Sequence, residues 1–115
     1  MLRNRLFLLK PNFTDPVYPG ERFYCWHCAL LEGVLVSFPA LTSKIDVERI
    51  AWPRPRQALV DLVGADNQSV PLLVLAAEAP DELATGRFRD LRIVDDKDAI
   101  LAVLSRRHGI PRPHP

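Results

Sequence analysis

The sequence has almost no surplus charge: fifteen Lys and Arg stand against fourteen Asp and Glu, a net +1. A chain so balanced carries no signature for a polyanionic partner, and nucleic acid is not expected. Long apolar runs are missing as well. The first run, residues 5 to 9 ("RLFLL"), stops at Lys10 and Pro11. That is too short for a signal-peptide core, and no small-residue cleavage site follows it. Nothing reaches the roughly 18 to 20 apolar residues that cross a bilayer, so no membrane partner is expected. The simplest location is the cytoplasm. Cysteine is scarce too, Cys25 and Cys28 being the only two. In a reducing compartment a structural disulfide is not expected, and a close pair points to redox or metal chemistry.

What is present suits one soluble globular domain over residues 1 to 115, with 48% hydrophobic and 25% charged residues. A length of 115 residues gives room for a single core, and a monomer is the expected state. Residues 5 to 9 read as a buried strand. The segment 10 to 24 is a long loop, broken by Pro11, Pro16, Pro19 and Gly20. From Cys25 to about Ala40 the pattern is helical: Cys28, Leu31, Leu35 and Phe38 recur at spacings of three and four. Residues 46 to 52 predict a second strand, and "PRPRQALVDLVG" a second helix that Gly64 stops. Residues 70 to 75 predict a third strand with Pro71 at its start, where proline is tolerated.

Residues 76 to 90 show no periodicity. "LRIV" predicts a fourth short strand, and "DDKDAILAVLSRRHG" a helix with Asp95 and Asp98 at capping spacing and Gly109 past its end. The tail 110 to 115, "IPRPHP", cannot extend it. The order β-α-β-α-β-β-α predicts a small mixed four-stranded sheet with helices packed on it.

That order, with C-x-x-C opening the first helix and Val-Pro opening the third strand, resembles the thioredoxin fold. Its glutaredoxin and glutathione-transferase N-terminal branch is the nearest. The stretches "LFLLKP", "YPGERFYCWHCALLEG", "AWPRPRQ", "VPLLVL" and "VDDKDAI" also resemble a family of uncharacterised bacterial thioredoxin-like proteins. The resemblance implies a cis peptide before Pro71, with Val70 and Pro71 offering backbone groups to a substrate beside Cys25. It implies that Asp95 and Asp96 resemble the acidic helix start which holds the amino end of glutathione. Ile93 and Val94 stand where glutaredoxins carry a glycine pair. Glutathione is thereby implied as a co-substrate, and no resident cofactor.

Three readings of the cysteine pair compete: a redox dithiol, an inert remnant of the motif, and a metal clip. One helical turn apart, their Cα atoms lie at roughly 5 to 5.5 Å, within disulfide range. Cys25, in the first turn, has free N–H groups and the positive helix end beside it, and Cys28 is the deeper, resolving thiol. Zinc lacks ligands, because His27 is turned roughly 200° from Cys25 and His108 and His114 lie at the far end of the chain.

His27 either stabilises the thiolate, making the disulfide more oxidising, or faces solvent without a role. Trp26 either walls Cys25 or packs on the loop. Arg54 and Arg56 either receive a carboxylate near the dithiol or belong to a solvated surface. Asp95 and Asp96 either bind ligand or cap their helix. The expected function is a thiol–disulfide oxidoreductase of glutaredoxin-like type, acting on glutathione mixed disulfides or protein disulfides. The alternative is a non-catalytic thioredoxin-fold module binding a peptide or small molecule.

Overall fold

The run "RLFLL" forms an interior strand of a sheet in the computed structural model, which describes residues 2–115. This strand, β1 (Arg5–Leu9), is buried from Leu6 onward on both faces, as a strand covered by helices on each side must be. β2 (Asp46–Ile50) runs parallel to it, with Leu6 opposite Val47 and Leu8 opposite Arg49. Two parallel neighbours need a long crossover, and α1 (Trp26–Ser37) supplies it. On the other side β3 (Leu72–Val74) pairs antiparallel with β1, after α2 (Gln57–Val63). β4 (Gly86–Phe88) and β5 (Leu91–Val94) follow, and α3 (Lys97–His108) ends the ordered elements. The sheet order is β2-β1-β3-β5-β4.

Alternation along the strands splits the core in two. Leu6, Leu8, Leu73 and Val94 face a layer made by Leu31 and Leu35 of α1 with Ile100, Val103 and Leu104 of α3. Phe7, Leu72, Val74 and Ile93 face the opposite way, onto Leu59 and Val63 of α2. Burial of each such side chain contributes about 1.5–3 kcal/mol, and both faces of this small sheet are covered in this way.

Five strands, rather than the four expected, make up the sheet. The additional one is β4, inside the segment read as irregular. It has only three residues, pairs with β5 alone, and turns back through Arg89 and Asp90. Two-residue hairpin turns need positive φ and normally announce themselves with Asn-Gly or Asp-Gly. Here Arg89 adopts φ 54°, so the usual signal is missing. The first helix also stops sooner than expected, at Ser37, and a 3₁₀ turn over Pro39–Ser43 takes its place. The loop at 10 to 24 is tied by a bridge in which Phe13 and Phe23 exchange N–H···O bonds of 3.1 and 2.8 Å. Val70–Pro71 is cis, as the resemblance implies, and Arg54–Pro55 is cis as well.

Polar pins complete the frame. Buried Asn4 accepts the Ala76 N–H at 2.7 Å, lies 3.0 Å from His108 Nε2 through its Nδ2, and receives the Asp46 N–H on its carbonyl. Buried Arg92 donates to the carbonyls of Ala76, Ala77 and Ala79 and to Asp81, binding the irregular segment to β5. Among the described residues no helix is long and apolar enough to cross a membrane.

Candidate functional site

Cys25 is the N-cap of α1, with φ −77° and ψ 114°, and its Sγ accepts the Cys28 N–H at 3.2 Å. Ser, Thr, Asp or Asn usually does this work, satisfying one of the helix's unpaired N–H groups. A sulfur in that place gains a donor suited to negative charge, and the first turn holds no acidic residue to oppose it. Cys25 is partly exposed, whereas Cys28, one turn in, is only 2% exposed. Cys28 Sγ receives the Leu9 N–H at 3.4 Å. Burial first, then the hydrogen bond with Cys25, push the Cys28 thiol up to about 12, against the pull of the Leu9 N–H. Both cysteines are free. The pair is thus asymmetric: a partly exposed sulfur that accepts an N–H at the helix start, and a buried sulfur that keeps its proton.

A cavity of about 210 Å³ opens onto both sulfurs, lined by Leu9, Pro11, Tyr24, Ala29 and Glu32 beside the cysteines. Cys25, Cys28, Ala29 and Glu32 share one side of α1 because they fall at three, four and seven residues. Glu32 closes this side with a forked pair to Arg49 of β2, at 2.8 and 2.7 Å. Those bonds hold the Glu32 carboxyl below its usual value.

None of the other expected residues lines this cavity, and each has its own surroundings. Trp26 is 65% exposed, its ring edge-on to His27 with centroids 3.8 Å apart. Lys97 Nζ stands 5.8 Å from the Trp26 ring centre, so the start of α3 lies beside the dithiol helix. Val70 packs partly buried against the core cluster that also receives Cys25, and Pro71 is buried. Asp95 and Asp96 are exposed, but both have structural partners. Asp96 caps α3 through the Ala99 N–H at 3.0 Å, and Asp95 accepts the Thr85 hydroxyl at 2.8 Å. Arg54 is exposed and has no ion pair among the described residues. No group of three or more His, Cys, Asp or Glu among them could hold a metal.

Arg56, which the sequence brackets with Arg54 as a surface candidate, is the residue the structure sets apart. It is 8% exposed and donates only to neutral acceptors, Trp52 O at 2.9 Å and Gln68 O at 2.7 Å. Burial, then neighbouring Arg54, lower its basicity, and the charges of Cys28 and Cys25 act in its favour. A buried guanidinium without a carboxylate is rare, and here backbone carbonyls receive it.

The family described as "Protein of unknown function (DUF3088)" matches residues 3–112. The chain belongs to that family. The match spans the sheet, all three helices and the dithiol, so both cysteines lie within the family's domain. No match was found among curated proteins or among solved structures.

Proposed function

We propose that this DUF3088 protein is a thiol–disulfide oxidoreductase of glutaredoxin-like type, built on a thioredoxin-like fold. The observation that carries the reading is the asymmetry of the pair: Cys25 accepts an N–H at the helix start while Cys28 lies buried behind it. Support for the fold comes from β1 parallel to β2 and antiparallel to β3, with β3 antiparallel to β5; β4 is then an edge addition.

The chemistry follows from the two environments. The Cys25 thiolate attacks one sulfur of a substrate disulfide, forming a mixed disulfide and releasing the other half as a thiolate. Cys28 then surrenders its proton to that departing base or to water and attacks Cys25 Sγ, expelling the second half. The substrate gains two electrons and the protein ends as the Cys25–Cys28 disulfide. A low-molecular-weight thiol such as glutathione, itself oxidised to its disulfide, restores the dithiol. Discharge of Cys25 in the mixed disulfide removes one of the influences that hold Cys28 protonated, so the resolving step is eased once attack has occurred. A cytoplasmic setting suits a dithiol that must be kept reduced.

The test is turnover on a glutathione mixed disulfide, combined with mass spectrometry of cysteine variants. Cys28→Ser should accumulate a mixed disulfide on Cys25, and Cys25→Ser should abolish exchange. Faster alkylation of Cys28 than of Cys25 in the reduced protein, or no turnover at all, overturns the reading. A non-catalytic binding module is then the better account, for which the largely apolar lining of the cavity at Leu9, Pro11 and Ala29 speaks.

A further inference from the structure

Beside the dithiol cavity lies a second hollow of about 350 Å³, and the two share Pro11. Its cationic wall is Lys10 and Arg22, and its floor is the stacked pair Phe13 and Trp52, with ring centroids 5.4 Å apart at 6°. No acidic residue lines it. Among the described residues neither Lys10 nor Arg22 forms an ion pair, although seven pairs occur elsewhere. Arg54, also exposed and unpaired, follows Pro53 at the hollow's rim.

The two hollows are close by chain geometry. Leu9 donates its N–H to Cys28 Sγ, Lys10 is the next residue, and Pro11 borders both spaces. One residue of extended chain spans about 3.3 Å, so a peptide held at Cys25 crosses Pro11 within a few residues. The loop that forms the hollow is also pinned. Lys10 N–H bonds Ile50 O at 2.8 Å, Phe13 and Phe23 are bridged, and Tyr18 packs edge-on against Phe23. Little ordering is left to be done on binding.

We infer that this hollow receives the acidic segment of a peptide or protein substrate, next to the disulfide presented to Cys25. The inference rests on the oxidoreductase reading for its place beside the chemistry, but the groove itself is separately testable. Carboxylates meet Lys10 and Arg22, and an apolar or planar side chain lies on the Phe13–Trp52 floor. Attraction of this kind acts on encounter rate and partner choice, and it fades with salt over a screening length of about 8–10 Å.

Calorimetry with two disulfide-free peptides of equal length, one rich in Asp and Glu and one in Lys, tests the groove directly. With two exposed ion contacts the acidic peptide should bind about tenfold more tightly at low salt, and the preference should vanish at high salt. The double variant Lys10→Glu, Arg22→Glu should invert the preference, whereas Arg106→Glu, the same change on an exposed residue of α3, should not. Equal affinities, or a preference unmoved by the double variant, overturn the inference. Disulfide-bearing versions of the peptides then separate the two proposals. Selective binding without any reduction sinks the oxidoreductase reading and leaves the groove standing. Reduction of both peptides at equal rates sinks the acidic specificity and leaves the chemistry.

Discussion

At the scale of single residues, the dithiol was legible because it depends on local spacing. Three residues on a helix start suffice to bring Cys28 N–H onto Cys25 Sγ, and the apolar periodicity buries Cys28 with Leu31 and Leu35. Arg56 was not legible, since its burial is completed by Gln68, twelve residues along, through contacts that no local pattern encodes. Its position carries a prediction. Arg56→Met removes the guanidinium's bonds to the Trp52 and Gln68 carbonyls while keeping a comparable apolar stem. A loss of about 1–3 kcal/mol is expected in urea unfolding, because part-buried carbonyls lose their charged donor. An unchanged urea midpoint would mean that water replaces the guanidinium at both carbonyls.

Elements were legible where length and punctuation agreed. β1 coincides with its apolar run, β5 with "LRIV", and α3 lies between the Asp96 cap and left-handed Gly109 at φ 75°. β4 was hidden because three residues cannot display a period and its turn uses Arg89 in place of glycine. Gly64 belongs to the legible group and does more than end α2. It has φ 85°, and a Cβ there would stand 2.6 Å from the Phe88 ring of β4. Gly64→Ala therefore meets both an unfavourable backbone and an overlap between α2 and the sheet edge. A loss of about 1–3 kcal/mol is expected in urea unfolding. Replacing Phe88 with Leu in the same protein should recover part of it, by relieving the overlap alone.

For the whole molecule, three groups set the pH limits, two on the acid side and one on the alkaline side. His108 is held below its usual 6.5, first by burial and then by Arg107 and Lys44. A protonated ring also has no lone pair left at Nε2 for the Asn4 amide 3.0 Å away. With a depressed folded value, its contribution is complete above about pH 6.5 and is lost as pH falls through that lower value. Glu32, also depressed, acts further down: its contribution is complete above about pH 4.5 and lost below. Cys28 works the other way. Its folded value is raised from 9.0 to about 12, so its contribution is complete below pH 9.0 and is lost as pH rises toward 12. Urea midpoints across pH should trace a plateau with a fall on each side. His108→Gln should flatten the upper part of the acid limb, and Cys28→Ala should flatten the alkaline limb at some cost in packing.

Asn4 has a consequence for a chain still being made. Its partners His108 and Ala76 lie 104 and 72 residues further along, so its carboxamide leaves the ribosome long before either exists. β1, an interior strand of the sheet, is thus synthesised well before α3, the helix that completes the Asn4 cluster. Until α3 arrives, β1 has its neighbours in sequence but not the lid on its inner face. Closure of this sheet waits on a distant segment: α3 must come back to β1 before the inner face of either is buried.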